Sequence, residues 1–222
     1  MQQQIFIAGP VGKIELFVDV PANASDDVQG IALIAHPHPQ FGGTADNKVV
    51  TSIARAFRDL NCITVRPSFR GVGGSEGTHD HGIAETDDLL AVVKWMRETY
   101  DSASKLPQLP LYLAGFSFGA FVITRLAKVL ADSGRPAKRL VLVGTAAGFV
   151  TGARSYTTEA VAKDTLVIHG DKDETVRLSN VLAWAEPLDI PVVVVPGADH
   201  FFHRRLHLIR EIILRAWHST PT

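Results

Sequence analysis

One serine of this chain lies in a setting that is typical of a nucleophile. Gly115, Ser117 and Gly119 form a Gly-x-Ser-x-Gly pattern that directly follows an apolar run and opens a stretch with helical spacing. Where a strand turns sharply into a helix in this way, the serine hydroxyl is held out on the turn, and small flanking residues let the chain pass. A helix N-cap serine between two loop glycines is the alternative interpretation. The pattern predicts that Ser117 attacks an acyl carbon.

A serine hydroxyl needs a nearby base, and the base needs an acid that orients it. His200 follows the last apolar run of the chain, and Asp173 follows the run before it. Because the carboxyl ends of parallel strands meet at one edge of a sheet, we expect both side chains to reach Ser117. Two other acids compete with Asp173 for this role. Asp171 comes too early for the turn after its strand, and Asp199 adjoins His200 and would point away from it.

The elements that must position these residues alternate along the chain. Short runs rich in β-branched residues alternate with longer segments of helical spacing, which predicts an α/β fold with a mostly parallel sheet and helices on both faces. Strands are expected at residues 5–8, 14–20, 30–35, 62–66, 111–114, 139–143, 165–169 and 192–195. Helices are expected at residues 47–60, 83–99, 117–130, 178–186 and 204–217. We interpret residues 1–222 as one domain, with polar connections at 21–27 and 102–110.

Composition argues against several classes of protein. The 222 residues are 46% hydrophobic and 20% charged with a formal net charge of −1, so no global field attracts nucleic acid or an anionic membrane. Cys62 is the single cysteine and can form no internal disulfide, so a buried, inert thiol is expected. No run is long enough to cross a membrane, and residues 1–4 show no secretory signal. We expect a cytoplasmic protein that binds neither nucleic acid nor membrane, and its oligomeric state is open.

Two loops and the order of the three residues resemble the α/β-hydrolase superfamily. The order serine, aspartate, histidine is that of the family, and His-Gly-x-x-Asp at 169–173 and Gly-x-x-His-x-Phe at 197–202 look like its acid and base loops. His-Pro-His-Pro at 36–39 and the glycine-rich stretch 66–75 are similar to a group of small bacterial predicted α/β hydrolases. The resemblance covers nearly the whole chain. It implies an α/β-hydrolase fold of about eight strands and a serine hydrolase mechanism that needs no cofactor and no metal.

This resemblance also implies where an oxyanion would be bound. The first donor is the backbone N–H of the residue after the nucleophile, Phe118. The second should come from the loop after the strand at 30–35, where Pro37 and Pro39 have no N–H to offer. If the loop follows the His-Gly-x pattern of related enzymes, His38 is the donor, with Gln40 as fallback. This chain departs from the pattern because a proline replaces the glycine.

Two other kinds of site are less well supported. Residues 71–77 are rich in glycine after a strand, but Glu76 stands where a dinucleotide fingerprint requires glycine beside the pyrophosphate. Histidine clusters suggest a metal site, yet the ligand types and their number do not favour one. These clusters are His36 with His38, His79 with His81, and His200 with His203 and His207. Arg70 is expected to form a structural ion pair rather than to bind an anionic substrate.

The stretch before the acid loop bears on substrate access. Residues 145–164 must hold any connecting helix before the next strand and leave no room for a cap domain, so we expect a serine open to solvent and small acyl substrates. Candidates for an apolar acyl patch, which core packing explains equally well in part, are Phe41, Phe116, Phe118, Phe201 and Phe202. The predicted function is cleavage of small carboxylesters or thioesters through an acyl-enzyme. Lactonase, amidase or peptidase activity, or a non-catalytic binding protein on this fold, stay open as alternatives.

Overall fold

The structure, a computed structural model, describes residues 2–21, 28–101, 108–150, 152 and 154–218. In these stretches eight strands form one sheet in the order β1-β2-β4-β3-β5-β6-β9-β10, and β7 pairs with β8. The strands are β1 (Gln2–Ala8), β2 (Lys13–Asp19), β3 (Gly30–Ala35), β4 (Cys62–Pro67), β5 (Leu111–Phe116), β6 (Arg139–Val143), β7 (Gly148–Phe149), β8 (Ser155–Tyr156), β9 (Leu166–Gly170) and β10 (Val192–Val195). The predicted α/β architecture with about eight strands is confirmed.

The sheet is antiparallel at one edge and parallel in the rest. β1 pairs antiparallel with β2, and β2 pairs antiparallel with β4. From β4 to β10 the neighbouring strands run parallel. The strands β3 and β9 are buried along their whole length, which explains why they appear in the sequence as continuous apolar runs. The carboxyl ends of the parallel strands therefore meet at one edge of the sheet.

Five helices of the described ranges cover the two faces of the sheet. They are α1 (Lys48–Asp59), α2 (Ile83–Tyr100), α3 (Phe118–Asp132), α4 (Leu178–Ala185) and α5 (Leu206–His218). α1 packs against α5 on one face, and α2 packs against α3 on the other. Successive strand residues serve the two cores in turn: Leu33 belongs to the core on the α2/α3 face, and Ile34 belongs to the core on the α1/α5 face.

The segment between β6 and β9 forms a small hairpin instead of a connecting helix. In the described part of residues 145–164, β7 and β8 pair antiparallel and no helix is present. Gly148 (φ 60°) and Gly152 (φ 75°) adopt the left-handed conformation, which favours a tight turn over a helix. A hairpin of this size is no cap domain. The polar connections predicted at 21–27 and 102–110 lie largely outside the described residues.

Two side chains have the structural roles that the sequence predicts. Arg70 forms a buried bidentate ion pair with Asp88, to which its Nε and Nη2 each donate at 2.7 Å. Cys62 is buried, and burial raises the pKa of its thiol to about 12, so the thiol stays protonated and unreactive. Within the described ranges, every helix is too short or too polar to span a lipid bilayer.

Candidate active site

Ser117 lies at the sharp turn between β5 and α3. Its backbone has φ 56° and ψ −118°, a conformation that costs a non-glycine residue roughly 1–3 kcal/mol unless its surroundings enforce it. A Cβ on Gly115 would come within 2.6 Å of the Gly119 carbonyl. A Cβ on Gly119 would come within 2.4 Å of the carbonyl oxygens of Ala35 and His36. Close backbone approach therefore requires glycine at both positions, as the pattern predicts.

Three side chains form a hydrogen-bonded chain at the carboxyl edge of the sheet. The Ser117 hydroxyl is 3.0 Å from Nε2 of His200, and Nδ1 of His200 is 2.7 Å from Oδ2 of Asp173. Asp173 lies in the turn after β9, and His200 lies in the loop after β10. All three residues are buried. Because Nδ1–H is donated to the carboxylate, Nε2 is the ring nitrogen that can accept the serine proton.

Backbone donors and a second histidine fix the Asp173 carboxylate. Its Oδ1 accepts the N–H groups of Thr175 at 3.0 Å and Val176 at 2.7 Å, which leaves Oδ2 for His200. Nε2 of His169 is 2.9 Å from the Val176 carbonyl oxygen and 3.5 Å from Oδ2 of Asp173. Burial lowers the pKa of His169, so the ring stays neutral and ties the end of β9 to the turn that carries the aspartate.

The two competing acids point elsewhere. Asp199 pairs with His203, since its Oδ2 is 2.6 Å from Nδ1 and its Oδ1 accepts the His203 backbone N–H at 2.9 Å. Asp171 accepts a backbone N–H from the loop after β10. The fold thus brings Asp173, rather than either neighbour, to His200.

A buried histidine holds the loop after β3. Nδ1 of His36 is 2.7 Å from the carbonyl oxygen of Pro37, and Nε2 accepts the backbone N–H of Phe69 at 2.9 Å. Because Nε2 accepts, the neutral ring carries its proton on Nδ1, and Pro37 accepts it. Burial lowers the pKa of His36 to about 4. In a planar trans peptide the N–H points opposite to the carbonyl, so this bond also sets the direction of the His38 N–H.

The backbone N–H groups of His38 and Phe118, both at the pocket, have no hydrogen-bond partner among the described residues. Phe118 is the first residue of α3, where N–H groups lack intrahelical partners. The fallback donor, Gln40, gives its N–H to Nδ1 of His38 at 3.3 Å and is not free in this arrangement. The loop therefore closes into a short turn despite its prolines, with Gly43 N–H donating to the His38 carbonyl at 3.0 Å.

The serine is reached through a pocket of about 360 Å³. Ser117 lines this pocket and is only 7% exposed, so the serine is less open to solvent than the sequence predicts. Its walls come from residues 37–47, from the β7–β8 hairpin, and from Phe118, Thr175 and Phe201. No Lys, Arg, Asp or Glu is among the described residues that line it. A neutral, largely apolar group fits such a lining.

The five phenylalanines of the predicted acyl patch divide into two groups. Phe41, Phe118 and Phe201 line the pocket. Phe116 and Phe202 are fully buried in the core on the α1/α5 face. The prediction that these two residues contact substrate is therefore wrong, and core packing accounts for them. The backbone of Phe202 has φ 53°, which turns its side chain inward while its neighbour stays outside.

The histidine clusters serve separate local contacts. Nδ1 of His79 lies 2.8 Å from the carboxylate of the buried Glu85. The centroid of the His79 ring lies 4.7 Å from that of the His38 ring. Burial and nearby positive charge lower the pKa of His38 to about 4. In the described ranges no group of three His, Cys, Asp or Glu side chains is arranged to hold a metal ion.

Two features of the site were not predicted from the sequence. The first is the role of His36, which the sequence places in the His-Pro-His-Pro motif and in a histidine cluster, although a histidine directly after a fully apolar strand signals a buried, hydrogen-bonded ring. Val150 and Tyr156 reach the pocket because the hairpin folds back over the sheet edge. No local sequence pattern predicts that the hairpin folds back in this way.

Comparisons with known proteins identify relatives over nearly the whole chain. No family model matches the chain. An uncharacterized protein of Rickettsia prowazekii (strain Madrid E) is 32% identical over 209 residues, which cover 90% of this chain and 82% of that protein. The chain is thus related along most of its length to a protein whose own activity is not described.

Two solved structures are more informative. An alpha-beta serine hydrolase homologue from Coxiella burnetii is 38% identical with a TM-score of 0.81, over 96% of both chains. A member of the a/b serine hydrolases without lid from Xanthomonas campestris is 36% identical with a TM-score of 0.83, over 99% of this chain and 97% of that one. Both likenesses extend from the first strand pair to the last helix.

Proposed function

The chain belongs to the α/β serine hydrolases that lack a lid, and from this premise we propose that it cleaves small carboxylesters or thioesters through an acyl-enzyme on Ser117. The observation that carries the proposal is the unbroken chain Asp173–His200–Ser117, with contacts of 2.7 and 3.0 Å, whose serine and histidine line a pocket. Its substrate is a neutral small molecule, because no Lys, Arg, Asp or Glu is among the described residues that line the pocket.

In the first half of the reaction, Nε2 of His200 takes the serine proton as Oγ of Ser117 attacks the acyl carbon. The Asp173 carboxylate keeps the proton on Nδ1 and stabilises the imidazolium that forms. Negative charge develops on the former carbonyl oxygen. The unpartnered N–H groups of Phe118 and His38 are the donors for that charge, and both are in place before the reaction begins.

The bond to the leaving group then breaks, and the leaving oxygen or sulfur takes the proton from Nε2 of His200. In the second half, water gives a proton to the same nitrogen and attacks the acyl-enzyme, and Ser117 regains its proton as the acid leaves. His36 acts as a positioning residue in both halves, since its bond to the Pro37 carbonyl holds the His38 N–H in direction.

A fluorophosphonate probe tests this proposal. We expect it to label Ser117 covalently, and Ser117→Ala to abolish labelling and lower hydrolysis of 4-nitrophenyl acetate by a factor of about 10³ or more. Ser179→Ala is the matched control, because Ser179 is an exposed serine of α4 and should leave labelling unchanged. Circular dichroism checks that each variant is folded. Wild-type protein that is neither labelled nor active would indicate a binding protein on this fold and would contradict the proposal.

A further inference from the structure

We propose, resting on the function proposed above, that the enzyme prefers esters of aromatic alcohols with a short acyl part. The flat ring of the leaving alcohol lies against Phe41 and Phe201, and the acyl group faces Val150 and Tyr156. The two sides of the pocket, the direction of the leaving group and the exposure of the rings each support this assignment.

The two sides of the pocket belong to opposite faces of the sheet. Phe41 lies in the segment that leads into α1, and Phe201 lies in the loop that leads into α5. Both residues line the pocket, and the helices that follow them, α1 and α5, pack against each other. Val150 and Tyr156 instead belong to the core on the α2/α3 face. We call the first side the phenylalanine side and the second the hairpin side.

The chemistry places the leaving group on the phenylalanine side. When the acyl–oxygen bond breaks, the leaving oxygen keeps the bonding electrons and takes the proton from Nε2 of His200, so it must lie within hydrogen-bond reach of that ring. The ring of Phe201 lies 5.2 Å from the ring of His200, between centroids. A substituent on the leaving oxygen therefore starts beside Phe201. The acyl substituent takes the remaining direction, toward the hairpin side.

The exposed fractions of the side chains also distinguish the phenylalanine side from the hairpin side. Phe41 is 63% exposed and Phe201 is 45% exposed, so each has ring surface that no part of the described protein covers. Val150 and Tyr156 on the hairpin side are each only 5% exposed and are packed into the core, so the wall that they form is fixed and a long acyl chain would have to displace it. An open, aromatic side suits a ring, and a closed side suits a short acyl group.

The outward position of Phe201 has a local cause that is not core packing. The next residue, Phe202, has the left-handed φ of 53° and is fully buried, whereas Phe201 remains at the pocket. The ring of Phe41 likewise lies at the pocket, 4.7 Å from the ring of His38 between centroids. Bare aromatic faces favour an offset or edge-on aromatic partner over a saturated ring of the same size.

The test compares two acetates with matched leaving groups. Benzyl acetate and cyclohexylmethyl acetate release alcohols of similar size and acidity, but only the first has a flat ring. We expect kcat/KM for the benzyl ester to exceed that for the cyclohexylmethyl ester by about 3- to 10-fold, the range of one aromatic contact. Phe201→Leu and Phe41→Leu should each reduce this ratio, and the double variant should bring it close to one. Benzyl acetate should also be a better substrate than benzyl octanoate.

Phe6→Leu is the matched control, since Phe6 is 51% exposed on the edge strand β1 and does not line the pocket. Its benzyl preference should equal that of the wild type. Equal turnover of both acetates by the wild type, an unchanged ratio in the double variant, or a preference for the octanoate would each overturn the inference. Labelling of Ser117 and turnover of 4-nitrophenyl acetate separate that result from failure of the proposed function, in which neither would be seen.

Discussion

The Ser117 turn and the loop at residues 36–43 follow neighbouring parallel strands and face the same pocket, yet they are held in different ways. Backbone sterics hold the serine turn, because glycine at 115 and 119 is the one residue type that lets the main chains pass. Two hydrogen bonds of His36 hold the loop. Its Nδ1–H donates to the carbonyl of Pro37 beside it, and its Nε2 accepts the backbone N–H of Phe69 from a distant part of the chain.

This difference predicts how the two regions respond to change. A turn that is fixed by close backbone contact carries its constraint within a few residues, so its motif is visible in the sequence. A loop that is fixed by a buried ring depends on the protonation state of that ring and on a partner more than thirty residues away.

The largest effect on activity is expected from substitution of His200 or Asp173, the two partners of Ser117. His200→Ala should lower kcat about as much as Ser117→Ala, by about 10³-fold or more, because residues that act as one unit are not additive. Asp173→Asn should cost about 10²- to 10⁴-fold, since the serine and the proposed oxyanion donors persist. Steady-state hydrolysis of 4-nitrophenyl acetate measures both.

Asp171→Asn and Asp199→Asn are the controls for the acid. Both carboxylates are bonded away from His200, so near wild-type activity is expected. If either of these changes were the damaging one and Asp173→Asn were harmless, the assignment of the acid would be wrong.

A smaller effect is expected at His36. His36→Phe removes both hydrogen bonds of the ring and frees the peptide that carries the His38 N–H, so kcat should fall by about 10- to 100-fold, less than loss of a donor outright. His36→Asn can still donate to the Pro37 carbonyl and should keep more activity. The inhibition constant of a boronic acid, which forms a tetrahedral adduct with the serine, should rise in parallel while KM changes little. Equal kcat in all three proteins would refute a positioning role.

The smallest effect concerns stability at acid pH. Burial holds the pKa of His36 at about 4, below the value of about 6.5 in an unfolded chain, so the unfolded state binds the extra proton first as pH falls. The stability from the neutral ring is complete above pH 6.5 and is lost progressively toward pH 4. From this group alone, the free energy of unfolding should fall by about 2 kcal/mol between pH 7 and pH 5.

Urea unfolding of the wild type and of His36→Asn at both pH values isolates this contribution from that of other histidines. The variant is expected to be less stable at pH 7 and to lose less stability on acidification. An identical loss in the two proteins would show that the ring does not stay neutral in the folded state.

How far the sequence predicts this site depends on how local each constraint is. The strand–turn–helix around Ser117 and the loops of Asp173 and His200 follow from apolar runs and their order, since parallel strands bring their carboxyl ends together. The choice of Asp173 over its neighbours follows from spacing in the turn. The fold class likewise follows from periodicity alone.

Other features depended on contacts between segments far apart in the chain. Adjacent Phe201 and Phe202 are indistinguishable by hydropathy, and only a left-handed backbone at Phe202 sends one to the core and the other to the pocket. The hairpin at residues 148–156 closes one side of the pocket although its sequence predicts no such contact.

By itself, the sequence determined the fold class, the Ser117 turn and the identity of the residues that meet it, because apolar periodicity, strand order and a local turn motif set them. Only the tertiary structure decided the state of His36, the depth of Ser117 and the unequal sides of the pocket. Those properties arise from burial and from hydrogen bonds across the sheet edge, and burial is a property of the packed chain rather than of any segment within it.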